Sequence, residues 1–460
     1  MAEFINREQE LEALNRQYIS KQASFIVLYG RRRAGKTSLI QEFIKDKPYI
    51  YFLASEESEL QNISQLKNLI AEYAKDDYLN NIGIDNWDTL FKLLSKNMQD
   101  QKLILVIDEF QYLGKTNTAF PSIFQRNWDT ILQKLNIMVI LCGSHINMME
   151  SQTLNYASPL YGRRTGQIML KQIDFKHYHK FFNNIKYKDQ IEYYAITGGI
   201  PKYIELFNAR GNIFNEIERN ILDKQSFLFE EPLFLLQNEV SEIGSYFSII
   251  KSIAAGNHRL GKISSDLEVK QTGLTKYLRT LINLDILERE VPITESKPEK
   301  SKMGLYKIKD NYINFWFKFI YPDKGKLELS DKKFVMDKIK RNFVDSHVSF
   351  VYEDICIGKM FEMSASGKLN FNKCGRWWDN KTEIDIVAYD SMGDNIIFGE
   401  CKYRKQPMGA DVFYELLDKK KQVIWKNDTR KESYVLFSIS GFTDSLKQLA
   451  AERKDILLSQ

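Results

Sequence analysis

The sequence predicts a multidomain α/β chain that opens on a parallel sheet with a phosphate-binding loop. Three observations predict it. The chain has 460 residues, too many for one hydrophobic core, so about three or four domains are expected. Gly30-Arg31-Arg32-Arg33-Ala34-Gly35-Lys36-Thr37 matches the pattern G-x-x-x-x-G-K-[ST]. Continuous apolar runs, Ser24 to Tyr29, Leu103 to Ile107 and Ile137 to Cys142, read as strands buried on both faces, the habit of parallel strands.

Bulk properties narrow the class. A hydrophobic content of 43% and an aromatic content of 13% exclude a disordered chain. A net charge of +5 permits nucleic-acid contact through local basic surfaces but does not demand it. Cys142, Cys356, Cys374 and Cys401 are far apart, and His177 and His179 have no metal-ligand spacing, which argues against structural zinc and a disulfide framework. No apolar signal core opens the chain, and no stretch approaches the roughly 20 apolar residues of a membrane span. A cytoplasmic protein without membrane contact is expected.

The motif lies where phosphate binding needs it, between the strand ending at Tyr29 and a helix read from Thr37 to Ile44. Glycines let the backbone fold around phosphate with its N–H groups inward. Lys36 then reaches the β- and γ-phosphates, where it also serves catalysis, and the Thr37 hydroxyl holds Mg²⁺. Gly30, Arg33, Ala34, Gly35, Lys36, Thr37 and Ser38 are therefore the expected contacts of ATP or ADP. The run from Leu103 ends in Asp108-Glu109, the second half of such a site. Asp108 would bind Mg²⁺ through water, and Glu109 would orient or deprotonate the attacking water. The third run ends in Gly143-Ser144-His145, which makes Ser144 a candidate γ-phosphate sensor or a simple turn residue. Arg163, in Tyr161-Gly162-Arg163-Arg164, is a candidate for neutralising charge on the γ-phosphate, against the ordinary role of a surface arginine. Upstream, Leu11, Leu14 and Tyr18 mark one face of a packed N-terminal helix.

Taken together, FINREQELEALN, LYGRRRAGKTSLI, LVIDEFQYL, ILCGSH, LYGRR and TGGIPKYIELF resemble the archaeal-type ATPases of the STAND branch of AAA+-like P-loop proteins, of the MNS-type clade. The resemblance covers about the first 320 residues. It implies that Arg7 borders the adenine, that Gly198-Gly199-Ile200-Pro201 opens a helical lid, and that the protein is a nucleotide-controlled switch with slow turnover.

Beyond the lid, Val240 to Ala254 reads as one helix, Lys262 to Asp266 as a second and Gln271 to Leu284 as a third. Two strands follow, Ile286 to Val291 and Leu305 to Ile308. Three helices and a two-stranded wing make a winged helix-turn-helix. Its third helix would offer Lys270, Thr275, Lys276 and Arg279 to DNA; the alternative is an interdomain packing module. Asn311 to Tyr321, dense in aromatics, reads as a buried docking helix. A charged linker, 323–333, leads to the last domain.

In that domain Glu383 to Ala388 and Ile396 to Lys402 alternate polar and apolar around a turn at Ser391 to Asn395, a β-hairpin. A turn centred between Met392 and Gly393 sets Asp385 opposite Glu400 and Glu383 opposite Lys402, on one face, with Cβ atoms about 5 Å apart. Two carboxylates so close favour a divalent cation between them, and a neighbouring lysine can serve a phosphoryl transition state; the alternative is a structural cross-strand salt bridge. FVYEDICIGKM, GRWWDNKTEIDIVAYD and IIFGECKY resemble the PD-(D/E)XK, or restriction-endonuclease-like, domain appended to many archaeal-type ATPases. That resemblance implies Glu353 as the first acidic site residue, Asp385 and Glu400 as ligands of Mg²⁺ or Mn²⁺, and Lys402 as the catalytic lysine.

The expected organisation is a P-loop NTPase domain (1–200), a helical lid (201–239), a winged-helix domain with its docking helix (240–322), a linker (323–333) and a nuclease-like α/β domain (334–460). The expected function is a slow ATP-hydrolysing switch coupled to a metal-dependent, DNA-directed domain, with ATP and DNA as partners. The competing expectation is a non-enzymatic, nucleotide-gated regulator or scaffold that uses its winged helix and nuclease fold to bind DNA or protein.

Overall fold

In the computed structural model, residues 4–182, 184–209 and 211–460 are described, and the chain divides into two compact units. The first contains the chain up to Phe181, with Gly199–Glu205 and Phe234–Ser241; the second contains Phe182–Gly198, Leu206–Leu233 and Glu242–Gln460.

The first unit is built on a five-stranded parallel sheet of β1 (Ser24–Tyr29), β2 (Tyr49–Leu53), β3 (Leu103–Asp108), β4 (Ile137–Gly143) and β5 (Gly166–Met169), in the order β2-β3-β4-β1-β5. Every residue of β1, β3 and β4 is buried, as their unbroken apolar runs require of central strands covered on both faces. On one face Leu14 of the helix Glu8–Tyr18 and Leu39, Ile40 and Phe43 of the helix Lys36–Ile44 pack against Ile26, Leu28, Ile104, Val106 and Ile140. Leu11 and Tyr18 lie half-buried on the same cluster, so the expected N-terminal stripe is the packing face. Elsewhere in this core, Phe25 packs edge-on to Phe124 and tilted against Trp128 from the helix Phe120–Thr130.

The second unit contains three helices, Ile243–Ala254, Leu260–Asp266 and Gln271–Asn283, then an antiparallel pair, β6 (Leu287–Glu290) and β7 (Leu305–Ile308). Leu274, Leu278 and Leu281 are buried, while Lys270, which precedes the third helix, and Thr275, Lys276 and Arg279 on it are exposed. The unit ends in a mixed five-stranded sheet of β8 (Lys373–Trp378), β9 (Glu383–Tyr389), β10 (Asn395–Lys402), β11 (Lys431–Ser438) and β12 (Ile456–Ser459), in the order β12-β11-β10-β9-β8. Its core joins Val387, Ile396, Phe398 and Leu436 to Phe413 and Leu416 of the helix Ala410–Lys419.

Four boundaries differ from the sequence expectation. Val240 does not begin a long helix: it closes the end of the helix Glu231–Glu239, and the next helix starts at Ile243 after Glu242 leaves helical geometry. Apolar spacing continued through the break, and spacing alone could not reveal it. Residues 323–333 are not a free linker, because Lys324–Glu328 is helical, Leu327 is buried, and Lys324 and Lys332 pair with Glu230 and Asp223. Residues 201–239 are not one lid: 201–205 and 234–239 pack with the first unit, 206–233 with the second. The docking helix buries its aromatics as expected, but it is helical only over Asn311–Phe315 and widens to a π-type turn at Trp316–Ile320. There Trp316 Nε1 reaches Phe229 O at 2.7 Å, a partner distant in sequence.

Candidate functional site

The loop after β1 reverses sharply, and two glycines are needed for it. Gly30 has φ +148°, and a Cβ there would stand 2.4 Å from Leu170 O; Gly35 has φ +94°. Arg33 also takes a left-handed conformation, at φ 68°. Lys36 is buried and folds back on the loop, donating to Gly30 O at 2.8 Å and Arg31 O at 3.0 Å. Burial lowers its pKa, while Cys142, Glu109, Asp108 and Glu239 pull it upward. Thr37 and Ser38 are exposed at the start of the helix.

Asp108, at the end of β3, is buried and faces Thr37, whose Oγ1 lies 3.4 Å from its Oδ2. Tyr51 OH, from β2, donates to the same oxygen, and burial together with that carboxylate keeps the phenol protonated. Glu109 ends the strand in a left-handed conformation, φ 53°, unusual for this residue type and costly enough to mark a constrained site. Its carboxylate accepts from Ser144 Oγ at 2.9 and 3.1 Å and from Gln111 Nε2. β4 lies between β1 and β3, so Ser144 at its end is carried to the same side of the sheet as the loop and Glu109. Arg32 donates to Tyr112 OH at 3.2 Å and meets His145 Nε2 at 3.0 Å.

Of the outlying candidates, Arg7 reaches the loop. Its buried guanidinium donates to Ala34 O at 3.2 Å and Lys171 O at 2.6 Å, at the cost of a left-handed backbone, φ 88°. Arg163 is instead tied to Asp129, at 3.2 Å, and to Pro159 O and Tyr161 O. Tyr51 and Gln111 escaped sequence reading; a tyrosine on an alternating edge strand and a glutamine two residues after the acidic pair were the only signals.

The end domain brings a second set together. β9 and β10 pair with Ile386 opposite Gly399 and Val387 opposite Phe398, the register expected from the turn. The ladder stops there, and Asp385 Oδ2 accepts from the Cys401 N–H at 2.8 Å. Glu400 is buried and receives Lys402 Nζ at 2.7 Å and Lys419 Nζ at 3.1 and 3.2 Å. Glu353, on the helix Ser349–Ala365, accepts from Arg376 Nε at 3.1 Å. Arg376 also binds Glu290 of β6 and Asp354, both at 2.9 Å, and Lys307 of β7 pairs with Glu288, Glu290 and Asp354. Burial, followed by the charge of Asp385, pushes Glu353 up to about 8; burial, followed by Glu400, pushes Asp385 up to about 6. Among the described residues, no group of three or more His, Cys, Asp or Glu side chains is arranged to hold a metal ion. Glu383, expected opposite Lys402, is exposed and pairs across to Trp378. Lys419 and Arg376 were not foreseen, because each reaches its carboxylate from a separate element.

Sheet order, glycine loop and the Asp108–Glu109 pair together define a P-loop NTPase with an ATPase-type domain. Residues 4–207 match the family of the ATPase domain predominantly from Archaea, and residues 316–421 match a family of archaeal and bacterial proteins of unknown function. The chain belongs to the family of an uncharacterized protein of Methanocaldococcus jannaschii, to which it is 36% identical over 93% of its own length and 94% of the relative's. A short uncharacterized ATP-binding protein of the same organism is 52% identical over 10% of this chain and 75% of its own. Among solved structures, the Walker-type ATPase of Pyrococcus abyssi superposes with a TM-score of 0.50 at 20% identity, covering 68% of this chain and 96% of that one, a likeness of fold. No helix among the described residues is long and apolar enough to cross a membrane.

Proposed function

We propose that the chain is a STAND-type, AAA+-like switch that binds ATP–Mg²⁺, hydrolyses it slowly and governs a metal-dependent, DNA-directed end domain. The observation that carries the ATP half is the loop itself: Lys36, Thr37 and Asp108 converge where β1 and β3 end. Lys36 exchanges its two loop carbonyls for β- and γ-phosphate oxygens, and Gly30, Arg33, Ala34, Gly35 and Ser38 line the phosphates. Thr37 and Asp108 supply the hard oxygen donors that Mg²⁺ takes, and the ion would neutralise charge on the phosphates. Glu109 aligns the attacking water and takes its proton, and its bonds to Ser144 and Gln111 keep it fixed until then. Arg7 braces the loop at Ala34. Arg163 would have to leave Asp129 to neutralise charge on the γ-phosphate.

The three helices with β6 and β7 form a winged helix, and its exposed Lys270, Thr275, Lys276 and Arg279 support a DNA-facing role. In the nuclease-like end domain Asp385 and Glu400 would hold Mg²⁺ or Mn²⁺, which activates water for phosphodiester attack, with Glu353 beside them and Lys402 at the reacting phosphate. A second reading is favoured by one observation: internal cations already engage Glu400 and Glu353. By that reading the domain binds DNA or protein without cutting.

The test is to incubate the purified chain with plasmid, linear and single-stranded DNA, with Mg²⁺ or Mn²⁺, with and without ATP. Cleavage that requires the divalent ion and changes with ATP supports the coupled enzyme. Retardation of DNA without cleavage supports the regulator.

A further inference from the structure

Arg32 is a cation of the phosphate loop that the proposed chemistry leaves without a task. It is half-buried, and among the described residues it forms no ion pair with a carboxylate, whereas Arg7 and Arg163 are paired to Glu10 and Asp129. Among those residues its side-chain bonds run through Nη2 alone, to Tyr112 OH at 3.2 Å and His145 Nε2 at 3.0 Å. A guanidinium can only donate, so Nε2 accepts, and the imidazole is neutral with its proton on Nδ1. Burial, followed by the charge of Arg32, lowers the pKa of His145, in agreement with that state. Both partners flank Glu109. The Tyr112 N–H donates to Glu109 O at 3.0 Å, and His145 follows Ser144, whose hydroxyl bonds the Glu109 carboxylate.

Lys36 enters from the end of β1 and Glu109 from the end of β3, with β4 between them. Lys36 serves the β- and γ-phosphates and Glu109 the attacking water, so the γ-phosphate belongs between the two, beside the acceptors that now hold Arg32. Those acceptors are neutral, and exchanging them for anionic phosphate oxygens is favourable for a planar fork of donors. We propose that Arg32 is a catalytic arginine carried by the phosphate loop itself, leaving Tyr112 and His145 to bind the γ-phosphate in the role expected of Arg163. The proposal rests on ATP binding and hydrolysis at Gly30 to Thr37. In that reaction the water oxygen bonds to the γ-phosphorus and its proton passes to Glu109. The bond from that phosphorus to the β–γ bridging oxygen breaks, and its electron pair leaves with ADP. Arg32 neutralises the charge on the oxygens of the transferred group. ADP offers no γ-phosphate, so with ADP bound Arg32 stays on Tyr112 and His145.

The experiment compares the full wild-type chain with Arg32→Ala, Arg32→Lys, Arg163→Ala and Lys36→Ala at fixed Mg²⁺. Calorimetry with ATP, ADP and ADP plus aluminium fluoride is set beside phosphate release. Arg32→Ala should weaken ATP about tenfold, leave ADP within about twofold and lower kcat at least about a hundredfold. It should also lose the gain in affinity that aluminium fluoride gives ADP in the wild type. Arg32→Lys keeps the charge without the fork, so it should recover ATP affinity but only part of kcat. If the alanine variant does not fold, the lysine variant decides. Equal losses for ATP and ADP, or a lower melting temperature with kcat unaltered, would make Arg32 a brace of the loop and overturn the proposal. Loss of kcat in Arg163→Ala with Arg32→Ala unaffected would overturn it too. Lys36→Ala separates the two levels. If it leaves ATP affinity intact, the loop reading fails and Arg32 falls with it; if it weakens ATP while Arg32→Ala changes nothing, only the assignment of Arg32 fails.

Discussion

Lys36→Ala is the substitution whose consequence follows most directly from the loop. The ammonium is buried and makes two hydrogen bonds, to Gly30 O at 2.8 Å and Arg31 O at 3.0 Å. When ATP enters, these neutral acceptors are exchanged for anionic phosphate oxygens. A hydrogen bond to a charged group contributes about 1.5–3 kcal/mol, so two to phosphate contribute about 3–6. The carbonyl bonds given up, at about 1–1.5 kcal/mol each, leave a net near 2 kcal/mol. That is roughly thirtyfold in Kd. Calorimetric titration with ATP, ADP and AMP should show the loss for the first two and little change for the third. Without nucleotide the melting temperature should move by only a few degrees, because water can replace the lysine at two loop carbonyls. An ATP affinity within twofold of wild type would refute the reasoning, and with it the assignment of the loop.

Glu109→Gln keeps the side-chain shape but removes the base, so the variant should bind ATP as wild type does and turn it over at least about a hundredfold more slowly. Turnover at the wild-type rate would place water activation elsewhere. Asp385→Ala should abolish Mn²⁺ binding by the end domain while ATP turnover by the full chain persists, and Lys402→Ala should keep the metal and lose any cleavage. If both variants instead lower the melting temperature with metal affinity unaltered, the cluster is a structural salt bridge. Asp385 and Glu353 have folded-state values raised by burial to about 6 and about 8. A carboxyl raised on folding favours the folded state below its unfolded pKa and loses that contribution as pH rises through the folded one. The end domain's melting temperature, measured in chelator, should therefore fall between about pH 5 and 9, and Glu353→Gln should flatten the upper part of that decline. A flat wild-type profile would sink the account.

Sequence was a good guide wherever one strand or one turn decides the outcome. β1 runs from Ser24 to Tyr29 as its apolar run implies, and the β9–β10 register follows from the turn at Met392 and Gly393. Local chemistry determines both. It failed where a partner arrives from far along the chain. Nothing near Glu353 announces Arg376, and nothing near Glu400 announces Lys419, since each contact depends on how separate helices and strands pack. Lys324 to Glu328 is rich in charge and reads as linker, but burial of Leu327 and the ion pair with Glu230 make it helix.

The loop between β6 and β7 also bears on how this chain can be taken apart. β8 is an outer strand of its sheet, and the loop lies along it: Ile293 N donates to Arg376 O at 3.0 Å, and Ile293 O receives Tyr389 OH at 3.2 Å. Trp377 and Trp378 add bonds to Thr294 and Met303, and Ile293 packs on the sheet's core. An outer strand stripped of such a cover is a template for adhesion between molecules. The stretch 316–421 recognised as a family begins downstream of that cover. Fragments cut at that point would carry a raw seam and clump, whereas fragments beginning near Ile243 keep the flap that seals it.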